Sequence, residues 1–171
     1  MRVLRDHEGT LGAGPRVVAV GVFDGLHRGH QALLRSCLTL ADGAATAVVT
    51  FDPHPAVVLA PDRAPSQLAT LEQRLEGLEV LGVDAVRVVT FSDELARESA
   101  ESFVERVLLA ECAASIVVVG EDFRFGHDRQ GDVSLLRTMG ERHGFVVAPL
   151  AIVGDSHRWS STTVRAALAQ G

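Results

Sequence analysis

Cysteine is scarce in the 171 residues: Cys37 and Cys112 are the only two, and no CxxC spacing joins them. That argues against a disulfide framework or a thiolate metal pair. Both residues lie in apolar stretches, LLRSCLTLA and LLAECAASI, that suit buried core thiols. Long hydrophobic runs are missing as well. None reaches the length of a membrane span, and the N-terminal MRVLRDHEGT has no apolar segment of the signal-peptide kind. The expectation is a cytoplasmic protein with no membrane partner. Basic charge is also short, because 16 Lys and Arg against 22 Asp and Glu leave a formal net charge of -6. A general nucleic-acid binder displays a basic face, so no nucleic-acid partner is expected. Any anionic ligand must be held by a local set of donors.

What is present fits one globular domain over residues 1–171, with 47% hydrophobic and 22% charged residues. Valine-rich segments with the look of strands run over 16–23, 45–51, 86–91, 115–120 and 145–153. Between them HQALLRSCLTLA, LATLEQRLEGLEVLG, SAESFVERVLLAEC and SLLRTMGERHG carry apolar residues at helical spacing. Strands buried on both faces and separated by helices predict a five-stranded parallel α/β sheet with helices on both faces. Such a sheet binds its ligand beyond the carboxyl ends of the strands. The glycine-rich and polar segments fall there: 21–30 after the first strand, 51–55 after the second and 120–126 after the fourth. Segment 52–67 holds four of the six prolines and is expected to be an excursion over the cleft.

The bend GVFDGLHRGH is neither the dinucleotide fingerprint GxGxxG nor a P-loop, since no GK[ST] follows it. It reads as strand, glycine turn and helix start. A helix N-terminus offers unpaired N–H groups and partial positive charge, which suit a phosphate. His27 and His30, three apart, would lie on one side and reach one anion together. A helical metal pair is usually HxxxH with an acidic residue, so no metal site is assigned to the histidines. At the other end SSTTVRAALA offers a capped helix, with Arg165 one turn beyond Ser161.

GVFDGLHRGH resembles the HxGH segment of the nucleotidyltransferase superfamily, whose two histidines contact ATP phosphates. With TFDPHP (50–55), GEDFRFG (120–126), Gly131–Asp132 and WSSTTVR (159–165), the chain resembles the FMN adenylyltransferase domain of bacterial FAD synthetase from about residue 17 to 171. The resemblance implies a Rossmann-like fold and transfer of AMP from ATP to FMN, giving FAD and pyrophosphate, with Mg²⁺ accompanying ATP. It implies catalytic roles for His27, His30, Ser161, Thr162 and Arg165. It also implies ATP contacts at Gly21, Phe23, Asp24, Gly25, Asp122 and Arg158. Phe51, His54 and Phe125 are expected beside the flavin, because an isoalloxazine needs flat apolar walls. A riboflavin kinase domain often follows in the family, and no segment here corresponds to one. The segment around Arg74 often carries lysine in the family. Two alternatives stay open: a transferase for another phosphate acceptor such as a flavin analogue, and a non-catalytic nucleotide- or flavin-binding module.

Overall fold

Alternation inside the valine-rich segments divides the core. A computed structural model describes residues 1–151 and 161–170, without side-chain detail at 169 and 170. Val18, Val20, Val49, Val89, Val117 and Val119 join one apolar cluster, while Val17, Ala19, Val48, Val86, Val88 and Val118 join the other. Successive strand residues point to opposite faces, so a run that is apolar throughout must be covered on both.

The strands are β1 (Arg2–Leu4), β2 (Arg16–Val20), β3 (Ala45–Asp52), β4 (Ala85–Thr90), β5 (Ala114–Gly120) and β6 (Val146–Leu150). Among the described residues they form one sheet in the order β1-β4-β3-β2-β5-β6, and every pairing is parallel. The helices are α1 (Arg28–Ala41), α2 (Pro55–Leu59), α3 (Leu71–Val80), α4 (Asp93–Ala96), α5 (Ala100–Phe103), α6 (Val133–His143) and α7 (Ser161–Gln170). After α5 the chain continues as a π-helix over Val104–Glu111. Leu33, Leu34 and Cys37 of α1 and Leu71 and Leu78 of α3 cover one face. Phe103, Val107, Leu108, Leu136 and Met139 cover the other.

The parallel α/β architecture with helices on both faces is as expected, but the sheet has six strands where five were predicted. The extra strand, β1, pairs with the edge of β4. Three residues are too few to display a period, and Arg2 spends its guanidinium on the carbonyls of Thr10 and Leu11. The proline-rich segment 52–67 is also more ordered than expected. It contains α2 and a 3₁₀ turn, Pro61–Arg63. Both cysteines are buried free thiols, and desolvation pushes each up to about 12.

One polar side chain fastens the sheet to the site. Arg74 of α3 is 2% exposed. Its Nη1 donates to Val22 O at 2.9 Å, Phe51 O at 3.0 Å and Thr50 Oγ1 at 3.3 Å, and its Nη2 to Asp52 Oδ1 at 3.1 Å. Thr50 Oγ1 itself donates to Val22 O at 2.9 Å. The arginine thus joins the end of β3 to the turn after β2. Arg74→Met would leave buried carbonyls unsatisfied, so we expect a loss of about 3 kcal/mol. Thermal unfolding should record this as a midpoint lower by roughly 6–12 °C; an unchanged midpoint would show that the bonds contribute nothing.

Candidate active site

The strand order reverses beside β2, where β3 and β4 lie on one side and β5 and β6 on the other. In open α/β sheets that reversal opens a crevice at the carboxyl ends. The chain leaves β2 through a sharp turn. Gly21 N still donates to Val49 O at 3.1 Å, and then Phe23 (φ 56), Gly25 (φ 75) and Leu26 (φ 40) are left-handed. A Cβ on Gly25 would stand 2.9 Å from the Leu68 side chain, so both conformation and space demand glycine. Phe23 is fully buried, and its ring lies 5.2 Å from that of His30.

His27 is the N-cap of α1. Its Nδ1 accepts from His30 N at a long 3.4 Å, and the two rings stack with centroids 3.7 Å apart. An accepting Nδ1 places the proton of a neutral His27 on Nε2. Burial pushes the His30 pKa down to about 3, with the neighbouring His27 adding to the shift. Burial also lowers His27, against the opposing charge of Asp24. Both rings are therefore neutral near pH 7 in the surroundings the protein supplies. His30 Nδ1 is buried and has no hydrogen-bond partner among the described residues.

Two cavities open here. The smaller, about 360 Å³, is lined by Gly21, Phe23, Asp24, His27, Gly29, His30, His54, Asp122 and Ser161 among others. The larger, about 860 Å³, is walled by Phe51, Phe91, Phe103, Phe123 and Phe125. Gly21, Val22, Asp122 and Phe123 line both, so the two spaces meet.

The predicted residues separate accordingly. Phe51 and Phe125 are 9% and 8% exposed, forming the floor of the large cavity and part of the core. His54 stands with the two site histidines, caps α2 by accepting from Ala56 N at 3.1 Å, and has its pKa lowered by burial. Gly25 lines neither cavity and instead shapes the turn. Thr162 is exposed and, like Arg165, lines neither cavity. Arg165 lies behind the wall: its Nη2 donates to Asp24 Oδ2, and its Nε donates to Ser66 O at 2.6 Å. Arg158 is outside the described residues. Sequence reasoning passed over Phe91 and Phe123, although the first ends a strand pattern and the second sits inside GEDFRFG, the signals that picked Phe51 and Phe125.

A family model described as FAD synthetase matches residues 12–163. Curated relatives include the bifunctional riboflavin kinase/FMN adenylyltransferases of Escherichia coli (strain K12), 37% identical over 156 residues, and of Pseudomonas fluorescens, 41% identical over 157. Each comparison covers 90% of this chain and 50% of the relative, so the chain spans about half the length of these proteins. A solved structure described as a macrolide-efflux protein from Streptococcus pneumoniae matches with a TM-score of 0.81 at 26% identity, covering 97% of this chain and 56% of that one. Among the described residues no helix is long and apolar enough to cross a membrane.

The depressed His30 has a consequence for stability. An unfolded chain protonates this ring below 6.5, whereas the folded chain resists until about 3. The unfolded state binds more protons in that window, so stability is lost as pH falls through it. Between pH 6.5 and pH 5 the loss is about 2 kcal/mol, or roughly 4–8 °C in the unfolding midpoint. Melts at pH 7 and pH 5 should show the drop in wild type and a smaller one in His30→Gln. Equal drops would place the proton elsewhere.

Proposed function

The chain belongs to the FAD synthetase family, and on that premise we propose that it transfers AMP from ATP to FMN, releasing FAD and pyrophosphate. The observation that carries this reading is the meeting of two unlike cavities, one walled by phenylalanines and one at the histidine-capped start of a helix. A flavin ring suits the first, since aromatic edges and faces offer flat apolar contact. A triphosphate suits the second.

An oxygen of the FMN phosphate attacks the α-phosphorus of ATP. A new P–O bond forms, the bond from that phosphorus to the bridging oxygen breaks, and pyrophosphate leaves with the electron pair. A phosphate monoester has a second pKa of about 6, so at neutral pH it is largely a dianion and needs no general base. The protein's task is position and charge. The helix dipole of α1 and the Nε2–H of His27 meet the phosphates, and the buried His30 ring supplies a further nitrogen. Approach of a polyphosphate favours protonation of both rings, which reverses the effect of burial. The start of α7 serves the triphosphate through Ser161, which lines the small cavity, with Arg165 held behind the wall. Magnesium enters as Mg-ATP, the substrate. No group of three His, Cys, Asp or Glu that could hold a metal ion occurs among the described residues, and this ion binds readily through phosphates and water.

Incubation with Mg-ATP and FMN should yield FAD and pyrophosphate in equal amounts by chromatography and a phosphate-release assay. Neither product, or binding without pyrophosphate, would contradict the reading. His30→Ala should slow turnover roughly 10²–10³-fold, as loss of one preorganised donor does elsewhere. A rate equal to wild type would remove His30 from the mechanism.

A further inference from the structure

Two carboxylates, Asp24 and Asp122, line the small cavity, and Asp24 is 2% exposed. A bare carboxylate in a phosphate-binding wall would repel its ligand, so what Asp24 touches decides what it does. Its Oδ1 accepts from Leu68 N at 2.9 Å and Ala69 N at 3.0 Å, and its Oδ2 accepts from Arg165. Its backbone carbonyl accepts from Ser161 Oγ at 3.2 Å. Arg165 in turn donates Nε to Ser66 O at 2.6 Å. A closed ring of contacts results, running from Asp24 to 68–69, back along the chain to Ser66, across to Arg165 and home to Asp24.

We propose that Asp24 is a positioning residue, which holds Arg165 and the 66–69 segment behind the cavity wall, so fixing the start of α7 at the cavity, and makes no nucleotide contact of its own. This rests on the reading above, in which the start of α7 serves the triphosphate. Three observations support it. The acceptor sites of the carboxylate face protein donors, and the guanidinium cancels its charge. Asp24 grips α7 twice, at Ser161 and at Arg165 one helical turn on, so both position and rotation of the helix are set. Apolar packing does little of this work, because Thr162 is exposed and Leu168 is 69% exposed. A guanidinium has five N–H donors, and the bonds to Asp24 and Ser66 take two of them. An arginine already fixed has lost its rotamer freedom before the ligand arrives, which favours binding.

Asp24→Asn keeps an oxygen for the 68 and 69 amides and removes the charge facing Arg165. In the 171-residue chain we expect the KM for ATP to rise roughly 10–100-fold, the loss of one charge-assisted bond, with the KM for FMN unchanged. Hydrogen exchange should quicken over 161–168 and stay slow at 68 and 69. Asp24→Asn/Arg165→Gln should bind Mg-ATP no more weakly than Arg165→Gln alone, since the two residues act as one unit. A wild-type KM for ATP, unaltered exchange in α7, or penalties that multiply in the pair would each overturn the proposal. So would equal rises in both KM values, the mark of a general structural loss. If Asp24→Asn does not fold, Arg165→Gln decides through exchange alone, and an α7 as protected as in wild type refutes the latch. If wild type makes no FAD, the function reading fails by itself. Calorimetric titration with Mg-ATP and the exchange pattern then still judge Asp24.

Discussion

Three left-handed residues between β2 and α1 place everything else in the site. Phe23, Gly25 and Leu26 turn the chain so tightly that α1 begins at the mouth of the sheet, with His27 as its cap. The turn holds because it is fastened from several sides. Arg74 and Thr50 take the Val22 carbonyl, Phe23 fills the space beneath His30, and Leu68 sits where a Gly25 side chain would be. Positive φ values at bulky residues are costly, and they persist where the surroundings over-determine them. Here the surroundings are the ends of β3 and α3.

Electrostatics at this mouth work by cancellation and local dipoles. The chain carries a net charge of -6, and its two site histidines are held neutral by burial. Asp24, whose charge His27 feels, is occupied by Arg165 and two backbone amides. A helix start and imidazole nitrogens line the small cavity beside Asp122, and among the described residues His30 Nδ1 has no partner. Such a site responds to an anion more than it attracts one from afar. Its affinity must come from short contacts and preorganisation.

The valine runs and helical periods disclosed the sheet and the helices that cover it, since each strand is long enough to show its burial on both faces. β1 escaped because three residues show no period and their role comes from pairing with β4. His27, His30 and Ser161 were legible as a group because glycine turns and caps announce themselves locally, and all three line one cavity. The duties of Asp24, Arg74 and Arg165 were not legible. They arise from contacts across 22 to 141 residues of sequence, which no spacing rule encodes. His54 was expected beside the flavin with Phe51 and Phe125, whereas the turn into α2 places it in the lining of the smaller cavity.

The proposed reaction rests on a division of labour between two joined cavities. A crystal structure with FMN and an ATP analogue that cannot be cleaved between the α- and β-phosphates tests it most directly. It should show the flavin ring against Phe91 and Phe123, and the triphosphate between the His27–His30 stack and Ser161. A triphosphate bound elsewhere, or a flavin ring outside the phenylalanine cavity, would contradict it.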